Sequence, residues 1–159
     1  MKIERYERWF LIAVAVALLL AVAALLATIA GEHAAFPESS ERIDPALISS
    51  TAPFDQPGVY PRDDGGYDVI MIARTWAFEP AEMELPVGAT AHFRIASVDV
   101  VHGFKIPDTN ANAMIIPGQV TELEVTFDEV GPHSVICHEY CGIQHHIMGG
   151  VINVVGGEG

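Results

Sequence analysis

The sequence predicts an all-β domain carried on one membrane-spanning helix. Three observations predict it. Trp9 to Ala30 is a run of 22 residues in which only Thr28 lies outside the apolar set. From Tyr67 onward, β-rich runs alternate with Gly and Pro turns about every 8–12 residues, the texture of a sandwich or barrel. No stretch after residue 50 sustains a helical period.

The elements follow in order. A helix of 22 residues, at about 1.5 Å per residue, reaches roughly 33 Å and matches a bilayer core. A signal peptide has a shorter apolar region, about 7–15 residues, and a small-residue cleavage site. No such site follows this run, so residues 1–31 are expected to be an uncleaved anchor, with Trp9 and Phe10 at headgroup level. Lys2, Arg5 and Arg8 precede the span, and the next basic residue is Arg42. This asymmetry places the N-terminus in the cytoplasm and the remainder outside; Glu4 and Glu7 count for little.

Residues 32–61 are rich in Pro, Ser, Ala and acids and read as a linker, with one short helix around Asp44 to Ser49. The β domain is expected over residues 62–159. Asp64-Gly65 is a hairpin signal ahead of the first strand, YDVIMIA at 67–73. Residues 81–97 hold two strands about a Pro86-Val87-Gly88 turn, and VHGFKI at 101–106 is a further short strand. NAMII at 112–116, the Pro117-Gly118 turn and VTELEVTF at 120–127 are expected to pair as a hairpin. The second arm alternates Val120, Leu123, Val125 and Phe127 against polar residues, with one slip at 122–123. HSVIC at 133–137 and GVINVV at 150–155 complete the set. Gly118 and Gly142 read as turn residues, and Met114 as a core residue.

The chain carries a net charge of −13. The first thirty residues hold three basic and two acidic side chains, so residues 31–159 carry five against 19, a net −14. That excludes nucleic acid as a partner. It fits a basic protein partner drawn in by opposite potential, and equally a surface adapted to high salt.

Both cysteines lie in CHEYCGIQHHIM, Cys137 to Met148, with three of the seven histidines and one of the five methionines. The pattern is C-x3-C-x3-H-x2-M. A disulfide across so small a loop is strained, constrains the unfolded chain little, and leaves His145 and Met148 without a role. Structural zinc rarely uses thioether sulfur. Cysteine, histidine and methionine together point to copper. A single-copper carrier needs one cysteine; two neighbouring thiolates suit two bridged coppers, each with its own imidazole. His102, in SVDVVHGFKIP, is the best second imidazole, with Ser97 and Asp99 placed to hydrogen-bond its loop.

SVDVVHGF followed by CHEYCGIQHHIMGG closely resembles subunit II of the haem–copper oxidases, with its binuclear CuA centre, over about residues 5–155. The single span and short linker are most similar to the B-type branch. The resemblance implies a membrane-anchored cupredoxin domain, a Greek-key β-barrel. It implies that Cys137 and Cys141 bridge two coppers and that His102 and His145 bind one each. Met148 is then axial to the copper on His102, and the Glu139 backbone carbonyl to the copper on His145. It further implies electron entry from a soluble donor, a cytochrome c or a small blue copper protein. The electron passes to haem in subunit I, where oxygen is reduced to water and protons are pumped. Many A-type subunits carry Glu at the position of Glu139, its carboxylate binding Mg2+ against subunit I, whereas B-type relatives often carry Gln. A magnesium ligand and an interface carboxylate paired with a base are both open readings of Glu139.

Trp76 and Phe78, in RTWAFEP, match the region where the family places aromatics over the copper site, which makes Trp76 the candidate electron-entry residue and core packing the alternative. His138 and His146 are expected at interfaces or in solvent; His33, His92 and His133 read as structural or surface residues. Three other readings compete: a tethered single-copper carrier, the CuA domain of a nitric or nitrous oxide reductase, and a disulfide-bonded receptor module. The second cysteine speaks against the first and the single-span format against the second.

Overall fold

The structure, a computed structural model, describes residues 4–31 and 41–156, in two units that divide after Glu38. The first is one helix, α1 (Arg5–Gly31), long and apolar enough to cross a membrane. Its polar exception hides itself: the Thr28 hydroxyl donates to the Ala24 carbonyl one turn back, at 3.0 Å. His33 lies outside the described residues.

The second unit is a β-sandwich of ten strands among the described residues. They are β1 (Gly58–Pro61), β2 (Tyr67–Arg74), β3 (Ala77–Glu79), β4 (Glu82–Pro86) and β5 (Thr90–Ser97), then β6 (His102–Lys105), β7 (Asn112–Ile115), β8 (Val120–Thr126), β9 (Gly131–Ile136) and β10 (Gly149–Val155). One sheet runs β1-β2-β5-β8, with β3 also paired to β2; the other runs β4-β10-β9-β6-β7. The pairs β2–β5 and β4–β10 are parallel and the rest antiparallel. Phe78, Phe93 and Phe104 fill the space between the sheets, the Phe104 ring 5.9 Å from Phe78 and 5.3 Å from Phe93.

The expected hairpin of 112–116 with 120–127 does not form. β7 pairs with β6, and β8 pairs with β5 in the opposite sheet. The Pro117-Gly118 turn therefore carries the chain from one sheet to the other. Side chains tie the two segments instead: the Thr121 hydroxyl donates to the Met114 carbonyl, and the amide of Asn110, just before β7, to the Glu124 carbonyl. The slip at 122–123 has the same origin. Leu123, Val125 and Phe127 face the core between the sheets, while Val120 faces the other side. Met114 is exposed on the outer sheet face rather than in the core.

That other side is a second apolar core, which shortens the expected linker. Ile48 and Phe54, on a segment read as linker, are buried against Ile70, Ile72, Ala96 and Val120. A 3-10 helix over Pro45–Ser50, capped by the Asp44 side chain, stands where a short helix was expected. The Val120 amide donates to the Glu41 carbonyl and the Ile43 amide to the Gly118 carbonyl. The folded domain thus includes residues 41–61, because their apolar side chains cover one face of the first sheet. β2 is accordingly buried on both faces, Val69, Met71 and Ala73 on one and Ile70 and Ile72 on the other.

β10 enters between β9 and the start of β4 at very close range. A Cβ on Gly149 would meet the Val135 carbonyl oxygen at 2.8 Å, and one on Gly150 the Ala81 oxygen at 2.7 Å. Backbone on both flanks explains the two glycines after Met148.

Two stability measurements test this packing. Phe54→Ala, at a site 1% exposed, is expected to cost about 3–5 kcal/mol in chemical denaturation of the full chain in detergent; a change below about 1 kcal/mol would return residues 41–61 to linker status. Gly150→Ala is expected to cost about 1–3 kcal/mol by overpacking, and a neutral result would contradict the close strand approach.

Candidate metal centre

The sandwich brings its ligands together at one end. His102 opens β6, and Cys137 follows the last residue of β9. Cys141, a turn at 142–144, a 3-10 helix over His145–Ile147 and Met148 then lead into β10. The Cys137 amide donates to the Met148 carbonyl, closing the loop at its neck. The His145 amide reaches the Gly142 carbonyl, which draws the loop inward.

The side chains converge. The Cys137 and Cys141 sulfurs stand 3.9 Å apart, both buried and unbridged. Cys141 Sγ is 3.6 Å from His145 Nδ1 and 3.4 Å from Met148 Sδ. Cys137 Sγ is 3.3 Å from the Glu139 carbonyl oxygen, so that backbone oxygen faces the cluster. Ligand atoms of His102, Cys137 and Cys141 lie within 4.8 Å of one another.

His102 shows what the pocket is shaped for. It is fully buried. Its Nε2 sits 2.8 Å from Asp99 Oδ1, while its Nδ1 is buried with no hydrogen-bond partner. A buried ring nitrogen without a partner is costly unless a ligand takes its lone pair. Two sulfurs 3.9 Å apart also fit one ion bonded to both, since metal–thiolate bonds of about 2.3 Å span up to about 4.6 Å. Thiolate, imidazole and thioether together suit copper. The residues present fit a copper site.

Electrostatics follow from burial. Burial, then the neighbouring Cys137, pushes the Cys141 thiol up, against a hydrogen bond from the Trp76 backbone amide. Partial burial alone would raise the Asp99 carboxyl. Hydrogen bonds from the Thr75 hydroxyl, His102 and the Val100 and Thr75 amides outweigh it and hold that carboxyl at about 2. Asp99 is therefore an ionised acceptor at neutral pH, and His102 must carry its proton on Nε2.

His102, Cys137, Glu139, Cys141, His145 and Met148 lie at this end, and Trp76 lies beside them. Trp76 is 40% exposed and takes a left-handed φ of 73°. A Cβ on Gly142 would come within 3.0 Å of its indole nitrogen, so that glycine makes room for the ring. Phe78, by contrast, is a core residue. Tyr140, not singled out from the sequence, packs its ring edge-on to His145 at 5.8 Å. Thr75 was also missed: its two hydrogen bonds to Asp99 join residues 24 apart, and no local pattern signals them. His138 is exposed, with its ring over Gly103, where a Cβ would meet it at 2.5 Å, so the glycine allows the close approach. His146 is exposed, His92 pairs with Glu124, and His133 contacts the Glu129 carbonyl and the Phe127 ring.

Residues 77–155 match the family described as cytochrome C oxidase subunit II, periplasmic domain. Cytochrome c oxidase subunit 2 of Thermus thermophilus is 35% identical over 154 residues, covering 94% of this chain and 91% of the relative. A second sequence of the same name from Thermus thermophilus is 36% identical over 116 residues, 72% of this chain and 86% of the relative. A chain of a heme-copper terminal oxidase dimer solved by cryo-EM superimposes with a TM-score of 0.70 at 30% identity, covering 95% of this chain and all of that one. The periplasmic domain of cytochrome oxidase subunit II from Bradyrhizobium japonicum shares the cupredoxin-like fold at a TM-score of 0.52 and 21% identity, over 56% of this chain and 83% of that one. With copper-type ligands gathered in a cupredoxin-like domain behind one apolar helix, the chain belongs to the cytochrome c oxidase subunit 2 family, part of a heme–copper oxidase.

Proposed function

We propose that this chain is the electron-entry subunit of a B-type haem–copper oxidase and holds a binuclear CuA centre. The observation that carries the reading is the pair of unbridged, buried cysteines, with His102 Nδ1 unpartnered and the ligand atoms of His102, Cys137 and Cys141 within 4.8 Å of one another. Cys137 and Cys141 would bridge the two metals and His102 and His145 would bind one each. Met148 and the Glu139 carbonyl would complete the two sets. Bound there, the copper pair supplies a one-electron store shared between two metals.

The protein's own residues do the rest. Asp99 holds the His102 ring in the tautomer that offers Nδ1, and the Trp76 amide donates toward Cys141. Buried apolar neighbours exclude water, so the ligands keep one geometry across a change of charge. Around the site the surface is apolar and open: Trp76, Val100, Tyr140, Ile143 and Ile147 are all exposed, Tyr140 at 72% and Ile143 at 84%. Such side chains, next to the ligands, suit contact with protein partners. Trp76 is the entry point for electrons from a soluble donor, cytochrome c or a small blue copper protein. Subunit I receives them at its haem for oxygen reduction and proton pumping. The half-buried Glu139 side chain faces that interface and takes a group supplied by subunit I, either Mg2+ or a base. Lys2, Arg5 and Arg8 ahead of the span support a cytoplasmic N-terminus and a copper domain outside.

Copper loading of the full chain in detergent tests the centre. Two coppers per chain, with an EPR spectrum split by two equivalent nuclei, are expected. One copper per chain would favour a tethered single-copper carrier. Ionic strength tests the role of the acidic surface. Donor oxidation is expected to slow steeply between about 0.01 M and about 0.15 M salt, where the screening length falls from about 30 Å to about 8 Å. A flat response would leave the net charge of −13 as an adaptation for solubility.

A further inference from the structure

Thr75 is not itself a candidate ligand, yet it sits at the centre of the hydrogen bonds that orient one. It lies in the turn between β2 and β3. Its backbone N–H donates to Asp99 Oδ2 at 2.5 Å, and its hydroxyl donates to the same oxygen. The other carboxylate oxygen, Oδ1, accepts from the Val100 amide at 2.7 Å and faces His102 Nε2 at 2.8 Å. A carboxylate held on one oxygen by a single donor can still turn about its last side-chain bond. Two donors from different directions on Oδ2, with the Val100 amide on Oδ1, fix its plane. With the plane fixed, Oδ1 points at His102 and the imidazole cannot rotate away from the cysteines.

The next residue extends the hold to the other ligand segment. Trp76, at φ 73°, turns its amide toward Cys141, and its ring packs over Gly142. One dipeptide thus touches the loop that carries His102 and the loop that carries both cysteines. We infer that Thr75 is a positioning residue, which sets the orientation of the His102 imidazole through Asp99 and ties the two ligand loops into one site. The inference rests on the copper reading above for its purpose, though not for its geometry.

Two substitutions separate the hydroxyl from the methyl. The Thr75 methyl lies 3.7 Å from the place of a Cβ on Gly142, so it has a packing role of its own. Thr75→Val keeps shape and methyl and removes only the donor. Thr75→Ser keeps the donor and removes the methyl. The measurements use the full chain in detergent. In the copper-free, nitrogen-15-labelled protein, solvent exchange of the His102 Nε2–H is followed by NMR. In the loaded protein, copper affinity is read by competition with a Cu(I) chelator.

Thr75→Val is expected to speed the Nε2–H exchange and to weaken copper binding about tenfold, the usual effect of losing a partner that orients a metal ligand. Thr75→Ser is expected to match the wild type in both. Wild-type exchange and affinity in Thr75→Val would overturn the inference, and so would equal losses in the two variants, which would assign the effect to packing. If Thr75→Val does not fold, Thr75→Ala against Thr75→Ser makes the same comparison. A wild-type chain that binds one copper or none would sink the binuclear reading, whereas the exchange measurement on copper-free protein judges Thr75 independently.

Discussion

The charged hydrogen bond between Asp99 and His102 is the interaction on which the site depends. A histidine with no solvent exposure has two nitrogens to satisfy and little freedom to do so. By accepting from Nε2, Asp99 satisfies one and leaves the other as a lone pair aimed at the cysteines. A hydrogen bond to a charged group is worth about 1.5–3 kcal/mol, enough to hold a ring in place before any metal arrives. Ser97 and Val100 brace the same carboxylate from its own loop, and Thr75 braces it from the end of the neighbouring strand β2.

The scaffold earns its accuracy from crowding. Cys137 leaves β9 and Met148 enters β10, so the two ends of the ligand loop are neighbours in one ladder. Gly149, Gly150, Gly103 and Gly142 stand where backbone, an imidazole or an indole comes too near for a Cβ. Four close approaches around twelve residues of loop leave its side chains few alternative positions. The ligands are therefore preorganised by packing, and a metal has little reordering to impose.

Much of this was legible in the sequence, for identifiable reasons. The apolar run shows itself because lipid demands an unbroken stretch of the right length. The ligand loop shows itself because four metal-ligating side chains, two thiols, an imidazole and a thioether, fall within twelve residues. The strands from Tyr67 onward were readable from β-rich texture and turns, but their partners were not. Pro117-Gly118 looks like a hairpin turn, and only the competing ladders of β6 and β5 reveal that it is a crossing between sheets. Ile48 and Phe54 are too sparse among polar neighbours to announce a second core. Thr75 is invisible locally, since its partner lies 24 residues on.

The doubly buried strand β2 has a consequence for how the chain finds its pairing. In most strands alternation of polar and apolar residues sets the register, because a slip of one residue would drive charge into the core. Val69 to Ala73 are apolar on both faces, so a slip would only exchange one greasy surface for another. The information must come from the strand's two ends. Arg62 grips Asp68 at one end, and Arg74 grips Glu79 at the other. Just past the second end, Thr75 and Trp76 meet Asp99 and Cys141 only in the native alignment. The residues that steady the ligands are then also the ones that proofread the sheet, and a misaligned β2 would be a molecule unable to assemble its site.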